Sequence, residues 1–159
     1  MNTSRAELPA PHPAPAGLPR GGQVRRLALY GARGSVGRCR DFARQALQDW
    51  NWLPAEDEER QAAADDVLLL VGELVTNACL HAGGPRQLLL HGTAGAVRVE
   101  VADASPVPPQ PRTPHRPGRP GGHGLLTVAR LSQRWGVTVH EDRSGKSVWL
   151  EVTVPPAPR

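Results

Sequence analysis

The stretch GELVTNACLHAGG, residues 72–84, sets polar side chains into an apolar, helix-forming sequence. Glu73, Asn77 and His81 follow one another at intervals of four residues, so on a helix they lie along one stripe. A Gly-Gly-Pro sequence at 83–85 ends the predicted helix. A stripe that only packed against a core would be apolar, so these polar groups indicate a functional site.

Hydrophobic periodicity along the chain predicts an α/β fold, in the form of an α+β sandwich. Alternating or short apolar runs predict strands at 23–31, 86–92, 96–103, 136–141 and 146–154. Helical spacing predicts helices at 35–50, with Ser35 as N-cap, at 54–82, with Pro54 at its start, and at 121–135. This order of elements is typical of one mixed sheet of about five strands with about three helices on one face.

Proline-rich segments divide the chain, which has 159 residues and 17 prolines. Residues 1–20 are expected to form a disordered arm and residues 156–159 a tail, which leaves 21–155 as one domain. The segment 104–121, ASPVPPQPRTPHRPGRPG, is too rich in proline for regular structure. A loop of this length inside a domain is usually functional or mobile.

Charge and composition restrict the class of protein. The net charge is +4, but the arginines are scattered and Lys146 is the only lysine, so a nucleic-acid-binding surface is not expected. No apolar run is long enough to cross a membrane, and the N-terminus lacks the apolar core of a signal peptide, so a cytoplasmic protein is expected. Cys39 and Cys79 fall at apolar positions of helices and are predicted to be buried free thiols.

Glycines at the entrance of the last predicted helix form a candidate phosphate site. Gly121, Gly122 and Gly124 would let backbone N–H groups approach an anion, and a helix N-terminus adds partial positive charge. Asp103 ends the strand before the proline-rich loop, where a carboxylate suits the exocyclic amine of a base such as adenine. A simple turn-forming role is the alternative for both features.

The polar stripe of the long helix supplies the remaining chemistry. Asn77 offers a neutral amide oxygen suited to Mg²⁺, which takes oxygen ligands and bridges phosphates. Glu73 lies one turn earlier, where phosphates would repel it unless it orients a water or a hydroxyl group. The stripe, Asp103 and the glycines together predict a nucleotide site.

Three motifs in this order resemble a known family. The segments ELVTNACLHA (73–82), VADASP (101–106) and GGHGLL (121–126) are similar to the N box and the two glycine boxes of the GHKL, or Bergerat-fold, ATP-binding superfamily. The likeness extends to small bacterial regulators of the anti-sigma-factor serine kinase type. It covers about residues 24–154, so it implies a Bergerat-type fold for nearly the whole domain.

The resemblance implies a role for each matching residue. Asn77 would ligate Mg²⁺ and so hold the ATP phosphates, Asp103 would accept from the adenine amine, and Glu73 would be the general base. Phosphate contacts would come from Gly122, His123 and Gly124. The loop 104–121 would be the ATP lid, and Ser147 matches a position at which the family often has a threonine near the adenine.

The implied function is an ATP- and Mg²⁺-dependent serine/threonine protein kinase. Its partner would be a sigma factor or an anti-sigma antagonist-like protein, and whether the chain forms a homodimer stays open. The family usually has Asp-x-Gly-x-Gly in the first glycine box, whereas here Asp103 is followed by Ala104, Ser105 and Pro106. This departure leaves two alternatives: a non-catalytic module that sequesters a regulator, and a slow ATPase.

Overall fold

The computed structural model describes residues 18–31, 33–108 and 123–154, with the backbone alone described at 123–126. Within these ranges the chain forms β1 (Gln23–Ala28), α1 (Ser35–Asp49), α2 (Glu58–His81), β2 (Pro85–Gly92), β3 (Ala96–Asp103), α3 (His123–Leu131), β4 (Arg134–Val139) and β5 (Lys146–Thr153). Most of the predicted arm at 1–20, the tail at 156–159 and the lid beyond Pro108 lie outside the described residues.

The five strands form one sheet in the order β1-β2-β3-β5-β4. The predicted α/β sandwich is confirmed, but all four strand pairs are antiparallel rather than mixed. Two hairpins, β2–β3 and β4–β5, account for part of this arrangement, because a tight turn can join only antiparallel neighbours. β5 returns between β3 and β4, so these two strands, which run in the same direction, are never neighbours.

The hydrophobic core lies between the helices and one face of the sheet. Every second residue of β3 and β5 points into it, namely Val97, Val99, Val101, Val148, Leu150 and Val152. From α2 the buried side chains are Ala63, Ala64, Val67, Leu70, Val71, Leu74, Val75 and Ala78. Burying one such valine or leucine contributes about 1.5–3 kcal/mol, so this shared core fixes α2 against the centre of the sheet.

The other face of the sheet is polar. Arg98 lies over the ring of Trp149 at 4.2 Å and donates to Glu100 and Glu151, while Arg134 of β4 donates to Glu151 from the other side. These side chains occupy the alternate strand positions, which are half-buried or exposed. Within the described ranges, the sheet is thus covered by helices on one face only, as the alternation in β3 predicts.

The N-cap of α1 and the start of α2 differ from the predicted ones. The residue before α1 is Gly34, in the left-handed conformation with φ 70°, and Ser35 is the first helical residue. The hydroxyl of Ser35 donates to the carbonyl of Gly31 instead of capping a backbone N–H of the helix. The prediction of Ser35 as N-cap is therefore wrong. α2 begins after Asp57, whose carboxylate accepts the backbone N–H of Arg60 at 2.8 Å. A side-chain cap, rather than Pro54, therefore sets where α2 starts.

The end of α3 also differs from the sequence prediction. The helix ends at Leu131 instead of continuing to Trp135, and β4 begins at Arg134. Arg134 pairs with Glu151 of β5 both in register and through its guanidinium. Pairing with a distant strand overrides the helical spacing of this segment, which local periodicity could not show.

Neither Cys39 nor Cys79 forms a disulfide bond. Cys39 of α1 is fully buried, which confirms its prediction, and burial raises the pKa of its thiol to about 11. Cys79 of α2 is only half-buried, and burial again raises its pKa. Among the helices in the described ranges, none is both long and apolar enough to cross a membrane.

Candidate functional site

A buried ion pair lies at the end of β3. Asp103, the last residue of β3, is 3% exposed and lies directly opposite Lys146, the first residue of β5. Lys146 Nζ donates to Asp103 Oδ1 at 3.0 Å and to the carbonyl oxygen of Ser105 at 3.1 Å. The backbone N–H of Ser105 donates to the same Oδ1 at 2.8 Å. These contacts fix the orientation of the carboxylate and compensate its charge.

The second carboxylate oxygen of Asp103, Oδ2, has no hydrogen-bond partner in the described part of the chain. In that same part, no fully buried side-chain nitrogen or oxygen lacks a partner. Oδ2 therefore keeps some contact with the solvent and is the atom through which Asp103 can accept from an external donor. An ionised carboxylate accepts through both oxygens, so the ion pair does not use up this capacity.

The turn before Lys146 brings β5 close to the end of β3. Asp142 Oδ1 accepts the backbone N–H of Ser144 at 3.0 Å, and Arg143 adopts φ 57°, so the chain reverses tightly between β4 and β5. A Cβ on Gly145 would lie 2.0 Å from the carbonyl oxygen of Asp103. Only glycine permits this approach, which places Lys146 beside the carboxylate.

The last turns of α2 lie over this same end of the sheet. α2 ends at His81, and after a short connection at 82–84 the chain enters β2 at Pro85, which pairs with Asp103. Gly83 and Gly84 take φ values of 73° and 110°, which the sharp reversal requires. The connection is too short to carry the end of α2 away from Asp103.

The polar side chains of the α2 stripe make no hydrogen bond or ion pair within the described part of the chain. The side chains of Glu73 and Asn77 are half-buried, and neither makes a hydrogen bond or ion pair to the described residues. Half-buried amide and carboxylate groups can bond to water, so these two groups are open to something that approaches α2. His81, the third residue of the stripe, is exposed at the helix end.

The last residues of α3 lie at the end of the sheet opposite to Asp103. Leu131, its last residue, is followed by β4, which begins at Arg134 opposite Glu151, far from Asp103 along the sheet. α3 packs against α2, and its first residues, His123 and Gly124, are described by their backbone alone. Gly122 lies outside the described residues, so its predicted phosphate contact stays a prediction.

Ser147 is the predicted site residue that the structure does not bring to the others. It is the second residue of β5 and pairs with Ala102, so its side chain points to the polar face of the sheet. There its hydroxyl lies 3.3 Å from His140 Nε2. Asp103 is buried on the helix-covered face. A strand alternates its side chains, so a shift of one position exchanges the two faces.

Lys146 is the site residue that the motif comparison missed. A signal for it was present, because the alternation of Val148, Leu150 and Val152 puts Lys146 on the buried face of β5. A lysine in the apolar phase of a strand needs a buried acidic partner or a ligand. What the sequence could not show is that this partner would be Asp103, which lies 43 positions earlier in the chain.

A cavity of about 280 Å³ lies at the end of the sheet opposite to Asp103. Its lining includes Trp50 and Trp52 after α1, Ala94 in the β2–β3 turn and Val154 after β5. Since β3 runs from this turn to Asp103, the whole length of the strand separates this cavity from the ion pair. It therefore belongs to a different region from the polar stripe.

The residues at the Asp103 end suit a purine nucleotide with Mg²⁺. Asp103 Oδ2 is an acceptor for an amine, the amide oxygen of Asn77 is a hard ligand of the kind Mg²⁺ prefers, and a helix N-terminus attracts phosphate. Glu73 adds a carboxylate one helical turn from Asn77. The fold and this set of groups define the class of nucleotide-binding α/β sandwiches.

Comparison with known protein families identifies the family of this chain. The family model for the histidine kinase-like ATPase domain matches residues 32–152, more than half of the chain. The chain therefore belongs to the histidine kinase-like ATPase domain family, within the GHKL-like superfamily that the three motifs resemble. This membership implies ATP binding and a kinase-like regulatory role. A comparison with curated proteins gave no match.

Proposed function

We propose that the protein is a cytoplasmic regulator that binds ATP and Mg²⁺ and phosphorylates a serine or threonine of a partner protein. The observation that carries this proposal is the pair of half-buried groups on α2, Glu73 and Asn77, neither of which makes a hydrogen bond or ion pair to the described residues. Family membership supports the ATP half of the proposal. The protein-kinase half rests on Glu73, because nucleotide binding alone does not require a carboxylate beside phosphates.

Each residue has a task in the proposed transfer. Asn77 would hold Mg²⁺, which when bound would neutralise phosphate charge, and the start of α3 would receive the phosphates through backbone N–H groups. Asp103 Oδ2 accepts from the adenine amine. The acceptor hydroxyl oxygen forms a bond to the γ-phosphorus while the bond from that phosphorus to the bridging oxygen breaks. ADP leaves, and Glu73 takes the hydroxyl proton.

The partner is proposed to be a sigma factor or an antagonist-like protein that regulates one. Its support is the resemblance of the segment 73–82 to anti-sigma-factor kinases. The motif departure after Asp103 favours the rival, a non-catalytic module that sequesters a regulator. The ion pair bears on that departure, because Lys146 and Ser105 hold the carboxylate in place without the usual glycines.

The test is transfer of labelled γ-phosphate from ATP to a panel of candidate partner proteins, run beside calorimetric titration of ATP and Mg²⁺. Glu73→Gln is expected to lower transfer by about two to four orders of magnitude, the usual contribution of a general base, with ATP affinity largely kept. Asn77→Ala is expected to weaken ATP binding itself. Glu59→Gln is the matched control, since Glu59 is an exposed glutamate in the first turn of the same helix.

The outcomes separate the two functions. Mg²⁺-dependent ATP binding with no transfer to any partner that binds the protein would contradict the kinase and favour the sequestering module. If the partner binds equally well with and without ATP, and equally well to Asn77→Ala, this result would favour the sequestering module further. Hydrolysis of ATP without an acceptor, lost in Glu73→Gln, would identify a slow ATPase.

A further inference from the structure

The ammonium group of Lys146 has a donor that the proposed function does not use. Lysine carries three N–H groups, and two of them donate to Asp103 Oδ1 and to the carbonyl of Ser105. The third has no partner in the described part of the chain. A free donor on Lys146 thus lies beside a free acceptor, Asp103 Oδ2.

Stability alone gives no reason for this pair. Both side chains are almost fully buried, at 5% and 3% exposed, and burying two charges costs more free energy than many pairs return. An apolar residue at 146 would continue the pattern of Val148 and Leu150 on the same face. A pair with one spare donor and one spare acceptor suits a ligand that carries the complementary two groups.

The edge of adenine carries these two groups side by side: the 6-amino group donates and the ring nitrogen N1 accepts. We propose that Lys146 is a second base-contacting residue of the nucleotide site, donating to N1 while Asp103 Oδ2 accepts from the 6-amino group. This inference rests on the proposed nucleotide site and adds a specificity residue to it. A base without an acceptor at position 1 leaves a buried ammonium unmatched, which is penalised strongly.

The direct test compares three nucleotides by calorimetry with the wild-type protein and Mg²⁺. ATP carries both groups, 1-deaza-ATP lacks the N1 acceptor, and purine riboside triphosphate lacks the 6-amino donor. Each analogue is expected to bind about tenfold or more weakly than ATP, as for a lost hydrogen bond to a charged group. This comparison needs no substitution, so it does not depend on the folding of a variant.

A substitution then assigns the N1 contact to Lys146. Lys146→Met keeps most of the side-chain length and removes the donor and the partner of Asp103, so it is expected to bind ATP at least as weakly as the wild type binds 1-deaza-ATP, and to lose discrimination between the two. Arg26→Met is the control, because Arg26 is exposed on the polar face of β1 and its loss changes the net charge equally. Circular dichroism confirms that each variant is folded.

The failures are distinguishable. Equal affinity of the wild type for ATP and 1-deaza-ATP would overturn the role of Lys146, while the nucleotide site would stand. Weaker binding of 1-deaza-ATP that persists unchanged in folded Lys146→Met would assign the N1 contact to another group and also overturn it. No binding of ATP by the wild type would overturn the proposed function together with this inference.

Discussion

Gly145 decides how closely β5 approaches the end of β3. An added Cβ would lie 2.0 Å from the carbonyl oxygen of Asp103, a backbone atom that cannot move aside without shifting the strand. Gly145→Ala is therefore expected to destabilise the protein by about 1–3 kcal/mol, the usual cost of overpacking. Urea denaturation followed by circular dichroism measures this change.

The matched control is Gly37→Ala in α1. A Cβ there meets nothing within 4 Å, so this change is expected to stabilise the protein by about 0.5–1 kcal/mol through helix propensity. The same substitution thus acts with opposite sign at the two positions. Equal effects would contradict the close approach of Gly145 to Asp103.

The faces of β5 show how finely a motif comparison must be aligned. Ser147 matches the family threonine by residue type, yet Lys146 points toward Asp103 while Ser147 points toward His140. Strand alternation was readable in the sequence, because Val148 and Leu150 mark the buried phase. Residue type matches position 147 to the family threonine, whereas strand alternation puts position 146 on the face of Asp103. The alternation decides the direction in which a side chain points.

At the scale of elements, the ion pairs on the polar face of the sheet contribute stability that depends on pH. Hydrogen bonds from Arg134 and then from Arg98 lower the pKa of Glu151 from its ordinary 4.5. A lowered carboxyl pKa contributes stability above the unfolded-state value, and this contribution is lost as the pH falls through the folded-state value. This contribution to stability is therefore expected to be lost below pH 4.5.

Glu151→Gln is expected to flatten the acid limb of the stability profile. The effect is at most about 1 kcal/mol, because Arg134 is largely exposed and such pairs are weak. Thermal unfolding of both proteins, measured from neutral pH into the acid range, checks this. Glu141→Gln, at an exposed position in the β4–β5 turn, is the control, and a drop as steep in Glu151→Gln as in the wild type would contradict the assignment.

Long, strongly periodic elements were predictable, and their ends were not. The interiors of α2 and of the β2–β3 hairpin follow the sequence closely, because buried residues recur at helical spacing in α2 and at every second position in β3. The ends of α3 and β4 were missed because Arg134 and Trp135 suit a helix as well as a strand. Their pairing with β5, which comes later in the chain, determines the outcome.

At the scale of the whole molecule, ATP binding is expected to raise stability. A ligand that binds only the folded state stabilises it by about 2.7 kcal/mol at one hundred times its Kd. Thermal unfolding with ATP and Mg²⁺ is therefore expected to show a raised Tm, which Asn77→Ala largely removes. Glu59→Gln keeps the shift, and an unchanged Tm in the wild type at millimolar ATP would contradict the nucleotide site.

The sequence by itself determined the α/β sandwich, the family and the polar stripe of α2. Hydrophobic period is a local property, and the order of the motifs at 73–82, 101–106 and 121–126 is read directly along the chain. Only the tertiary structure decided the partner of Asp103. β5 lies beside β3 because the last hairpin folds back into the sheet, and this pairing brings Lys146 to the carboxylate. A contact between strands far apart in sequence depends on the sheet order, which no local pattern encodes.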